Sequence, residues 1–158
     1  MVEIMSDQER EAENIANQGI ELYEDRQLDE AHQMFKKAYS LDPNSAKINS
    51  FYGITLAFVE DKVQKGLELC KKAINSGIPD PLFYRNIGKL YIKLNNKRLA
   101  VSAFYKGLSI DKGNRKIYDE FKALGIRRKP FLSFLPRSNV VNKYLGLLTF
   151  KLSKDKNK

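Results

Sequence analysis

The sequence has one cysteine and one histidine among 158 residues. A single thiol, Cys70, excludes a disulfide scaffold and any cysteine-rich zinc site. A single imidazole, His32, excludes multi-histidine metal centres and leaves most histidine-dependent catalysis without a partner group. With 5 prolines and 9 glycines, a collagen-like or low-complexity chain is excluded. No run approaches about 18 uncharged apolar residues, so no membrane-spanning helix is expected. Residues 1–10 are acidic and lack the apolar core of a signal peptide; the expectation is a cytoplasmic chain with a reduced thiol. There is no phosphate loop, no G-x-S-x-G elbow and no set of spaced metal ligands. Accordingly no catalytic residue, cofactor site or metal site is assigned, and the chain is not expected to be an enzyme.

What is present is enough for a core. Hydrophobic residues make up 42% of the chain and charged residues 30%, which fits one folded domain. The net charge of +9 is unevenly spread. Residues 1–45 carry a net −7, residues 46–114 a net +7 and residues 115–158 a net +9. A basic end favours acidic proteins, anionic lipid or nucleic acid, and the asymmetry also permits head-to-tail self-association.

The strongest signal is internal repetition. Gly19, Gly53 and Gly88 are spaced 34 and 35 residues apart, and each precedes a large apolar residue by three: Leu22, Leu56 and Tyr91. A small residue follows (Ala31, Gly66, Ala100), then Phe35, Cys70 and Phe104, then Ala38, Ala73 and Gly107. Each unit closes on a turn rich in Asp, Pro, Gly and Asn. Small residues at fixed places let two helices approach closely while large ones fill the remaining space, so each unit reads as an antiparallel helix pair. Helices are predicted over 7–25, 28–40, 44–60, 62–76, 81–94, 97–109 and 114–124. Ser6 with Glu9 reads as a capping box, and Asp80-Pro81 as an N-cap followed by proline at the first helical position.

This pattern resembles the tetratricopeptide repeat. Residues 12–45 match with Ile15, Gly19, Leu22, Ala31, Phe35, Ala38 and Pro43, and residues 81–114 with Tyr84, Gly88, Tyr91, Ala100, Phe104 and Gly107. Residues 46–80 are the weakest copy, because Asn49 stands where a bulky residue is usual and one extra residue precedes Gly66. The resemblance implies an all-α, right-handed superhelical solenoid of three helix pairs; the residues that follow read as a capping helix over 115–125 and a basic amphipathic tail over 126–158. The repeat domain is then residues 1–125.

In that family the first helix of each unit lines a concave groove that binds protein segments. The resemblance places Ile20 and Tyr23 there from the first unit, Phe51, Ile54 and Phe58 from the second, and Arg85, Lys89 and Ile92 from the third. The implied function is a non-enzymatic adaptor or scaffold that holds a peptide or helix, with apolar burial supplying affinity while Arg85 and Lys89 orient a carboxylate. Packing between adjacent helices is the competing role for Ile20, Phe51 and Ile54. The clamp by which some relatives hold acidic chaperone tails needs Lys, Asn and Arg where this chain has Ala16, Ile20, Phe51, Leu82 and Asn86, so that partner is not expected. Glu21, Glu24, Asp25, Asp29 and Glu30 read as a solvated face. His32 reads as a surface or interface residue and Cys70 as core.

In the tail, Val141, Tyr144, Leu145 and Leu148 fall on one face at helical spacing, with lysines following. Three uses stay open: folding back over the repeats, dimerisation, and contact with a membrane surface. Self-assembly or surface association through this tail is the alternative to the adaptor function. Arg127, Arg128, Lys129 and Arg137 alternate with aromatic residues, but no nucleic-acid fold is recognisable and nucleic acid is the least favoured partner.

Overall fold

The computed structural model describes residues 5–124. The described residues form seven helices and no strand: α1 (Asp7–Glu24), α2 (Leu28–Leu41), α3 (Ala46–Val59), α4 (Val63–Asn75), α5 (Pro81–Lys93), α6 (Lys97–Ile110) and α7 (Arg115–Ala123). The expected tail helix, and with it Val141, Tyr144, Leu145 and Leu148, falls outside the described residues.

Local chemistry starts these helices. The Ser6 hydroxyl accepts from the Glu9 amide while the Glu9 carboxylate accepts from the Ser6 amide, so two orphan donors of α1 are satisfied reciprocally. The Ser45 hydroxyl caps α3, the Asp80 carboxylate caps α5 with Pro81 behind it, and Asn96 caps α6. Within each pair the first helix ends on a left-handed residue: Arg26 (φ 65°), Asp61 (φ 55°) and Asn95 (φ 55°). In the first and third pairs this closes a Schellman turn. Gln27 N–H donates to the Leu22 carbonyl at 2.9 Å, and Asn96 N–H donates to the Tyr91 carbonyl at 2.8 Å. In the second pair Lys62 N–H reaches one residue further back, to Leu56, at 3.4 Å. That wider turn absorbs the extra residue of the middle repeat.

The periodic small residues mark where helices touch. A Cβ added to Gly19 would fall 2.9 Å from the Phe35 ring, and one on Gly88 would strike Phe104. The middle repeat solves the same problem differently. Gly66 and Cys70 replace the Ala and Phe of the other copies, and the backbones of α3 and α4 approach until a Cβ on Gly53 would lie 2.6 Å from the Gly66 carbonyl. Asn49 is a local device rather than a flaw in the pattern. Its amide donates to the Pro43 and Ser45 carbonyls at 2.9 and 2.7 Å and ties down the turn before α3.

Consecutive helices pack in pairs, α1 packs on α3, and α3 packs on α5. The first helices therefore share a face. The central core gathers Ile15, Phe35, Ile48, Phe51, Ile54, Ile87 and Leu90. At the C-terminal end Ile117 and Phe121 of α7 are buried, with Phe121 edge-on to Phe104 at 5.4 Å.

Candidate functional site

The face on which binding is expected is built by α1, α3 and α5. At its centre lie Phe51 and Ile54, only 1% and 0% exposed. The Phe51 ring stacks on Phe35 at 5.4 Å and meets the edge of Tyr23 at 5.8 Å. Neither residue offers the open groove surface expected of it. The cause is the position of α3 between α1 and α5: ten of its residues are buried, Ala46 and Ile48 through Ala57 with only Tyr52 spared in that run. A helix with neighbours on most sides has few positions left for a partner.

The charged end of the face is also occupied from within. Arg85 is 9% exposed, and its guanidinium donates from Nη1 to Glu24 Oε1 at 2.8 Å and from Nε to Glu120 Oε1 at 3.3 Å. Lys89 Nζ donates to the Tyr23 hydroxyl at 2.6 Å and lies 4.8 Å from the centre of that ring. It is 3.7 Å from Glu120 Oε1, while Lys116 reaches Glu24 at 3.0 Å. The network joins α1, α5 and α7. Burial pushes the Glu24 carboxyl up, yet Arg85 and Lys116 outweigh it and hold the group below its usual range. Burial lowers the Lys89 ammonium, with Glu120 opposing that shift. Arg85, expected to meet a partner's carboxylate, already holds two of the protein's own. Glu24, expected on a solvated face, is one of them. Sequence reasoning missed Glu120 and Lys116 here and did not pair Glu24 with Arg85, since no local pattern pairs residues 61 positions apart.

What stays accessible lies at the C-terminal ends of α3 and α5. Phe58 is 41% exposed, with Lys93 Nζ 5.3 Å from its ring centre and Asp61 holding that ammonium at 2.9 Å. Ile20 and Ile92 are partly exposed on α1 and α5.

His32 is buried between helices. Its Nδ1 lies 3.3 Å from the Thr55 hydroxyl, its Nε2 lies 2.8 Å from Glu60 Oε1, and its ring stacks on Tyr52 at 5.6 Å. Hydrogen bonds from Lys62 and then His32 hold the Glu60 carboxyl down to about 2. Cys70 is fully buried, its thiol reaches the Ser50 carbonyl at 3.4 Å, and burial pushes its pKa up, away from a reactive thiolate. Among the described residues no group of three or more His, Cys, Asp and Glu side chains is placed to hold a metal ion. No helix among them is long and apolar enough to cross a membrane.

Comparison with known proteins agrees with this architecture. The family model described as tetratricopeptide repeat matches residues 83–114, the third helix pair. The first tetratricopeptide domain of Spaghetti (RPAP3), bound to an HSP90 peptide, has the same fold: TM-score 0.58 at 16% identity, over 79% of this chain and 96% of that one. The chain is a tetratricopeptide-repeat protein. Among curated relatives of this repeat protein, mouse DnaJ homolog subfamily C member 7 is 31% identical over 73% of the chain. The mouse mitochondrial import receptor subunit TOM70 is 26% identical over 73% of it. This repeat protein spans only 23% and 19% of those two relatives. Tetratricopeptide-repeat proteins mediate protein–protein interaction.

Proposed function

We propose that the chain is a non-enzymatic adaptor that holds a peptide or helix of another cytoplasmic protein on the face formed by α1, α3 and α5. One observation carries this reading. In a fold that serves protein interaction, Phe58 leaves two fifths of its surface open beside Lys93, on the face that α5 continues with Ile92. A large exposed ring flanked by a cation is the kind of anchor that dominates binding energy at interfaces. Phe51 and Ile54 build the wall behind this surface, and the Arg85 network sets the spacing of α1, α5 and α7. The solved relative named above binds an acidic chaperone peptide. This chain has Ala16, Phe51 and Asn86 buried where a clamp for such a tail requires cationic and amide groups, which argues for a different partner.

The test compares wild-type chain with a Phe58→Glu, Ile92→Glu double variant as bait in cell extract, read by quantitative mass spectrometry. Proteins enriched by the wild type should fall at least about ten-fold with the variant. Equal recovery by both baits overturns the site.

A further inference from the structure

Between α4, α5 and α6 there is a cleft of about 220 Å³, walled by Tyr84, Tyr91 and Leu99, with Ser102 at its side and Lys71 and Lys106 at its rims. We infer that this cleft binds an acidic peptide segment, taking one aromatic or branched apolar side chain into the cavity while Lys71 and Lys106 hold carboxylates on either side.

Charge argues for that occupant. Helices α4 and α6 together carry six cationic residues and one carboxylate, Glu68, which Lys65 engages at 3.2 Å. Lys72 is spent on the Pro43 carbonyl at 2.8 Å. Lys71 and Lys106 form no ion pair among the described residues, and no acidic side chain lines the cleft. Two unneutralised ammonium groups flanking an apolar floor are complementary to a segment that alternates carboxylates with an apolar anchor. Size narrows the choice further. The cavity is smaller than the roughly 300–1,000 Å³ of small-molecule sites, and its volume suits one side chain. A nucleic-acid strand needs a groove of cations with successive stacking rings, whereas this is one concavity.

The experiment uses the full chain and a fluorescein-labelled hexapeptide of four glutamates flanking a central Phe-Leu pair, read by fluorescence anisotropy. Lys71→Glu with Lys106→Glu should weaken binding by about ten-fold or more, and Ser102→Trp, which fills the cleft from an exposed position, should do likewise. Lys36→Glu with Lys37→Glu makes the same change in net charge on α2 and should leave affinity within about two-fold. Phe58→Glu should also leave it unchanged. Unaltered binding in the Lys71, Lys106 variant overturns the inference. So does equal loss in the α2 variant, which would mark non-specific charge attraction, or loss in Phe58→Glu, which would place the peptide on the other face. A single-stranded hexanucleotide that binds as tightly as the peptide, with the same sensitivity to Lys71 and Lys106, also overturns it. Circular dichroism on each variant confirms that the helices are retained.

Discussion

At the scale of single residues, the turns between paired helices are held against local preference. Arg26 takes up φ 65° at a position that glycine fills in most Schellman turns, because a Cβ in the left-handed region crowds the following carbonyl. The packing of α1 on α2 holds it there. Replacing Arg26 with glycine relieves that crowding, offset in part by the freer unfolded chain. Arg26→Gly should therefore raise stability by about 0.5–1 kcal/mol, measured by urea denaturation. The same mutation at Asn95 should gain less, because asparagine tolerates this conformation. These turns also show what the sequence hides. Arg26 carries no glycine or asparagine to announce a left-handed turn, so nothing local marks it. Asn49 misleads in the other direction: it departs from the repeat pattern, yet its two hydrogen bonds to the Pro43 and Ser45 carbonyls explain why the middle copy keeps an amide there.

Helices α1, α5 and α7 meet through the Arg85 network. Arg85, Glu24 and Glu120 are largely withdrawn from water, so removing one leaves the others short of a partner at real cost. Arg85→Ala should destabilise the protein by about 2–3 kcal/mol. Glu24→Ala should cost less, because Arg85 keeps Glu120. A double-mutant cycle between Arg85 and Glu24 should give a coupling above about 0.5 kcal/mol. A coupling near zero would mean that Glu24 belongs to solvent and that α1 and α5 meet through apolar contacts alone. The helices themselves were legible in the sequence to within two residues at each end, because caps, spacing and turn residues are local signals. The face between them was only half legible. The family resemblance pointed Phe51 and Ile54 toward the shared face, but their burial depends on what α1 and α5 bring to meet them. The same holds for Arg85, whose partners Glu24 and Glu120 come from helices far away in sequence.

At the scale of the whole molecule, the helix pairs depend on their neighbours. Each repeat buries its apolar face on the next, so stability is distributed along the stack and the last pair needs a cover. Ile117 provides part of that cover, filling the space beside Gly107. Ile117→Ala should cost about 2–4 kcal/mol. Hydrogen exchange should quicken first in α5 and α6, with α1 and α2 following only at higher denaturant. Uniform quickening across all helices would instead show that the array opens as a single unit. The middle of the stack carries its own reporter. Cys70 lies where α3 and α4 come closest, fully enclosed and with its thiol held protonated. A disulfide reagent can reach it only after those two helices separate. Its rate of labelling in the unmodified protein is therefore a clock for that separation, requiring no engineered probe, and it runs at the frequency with which the central repeat breathes.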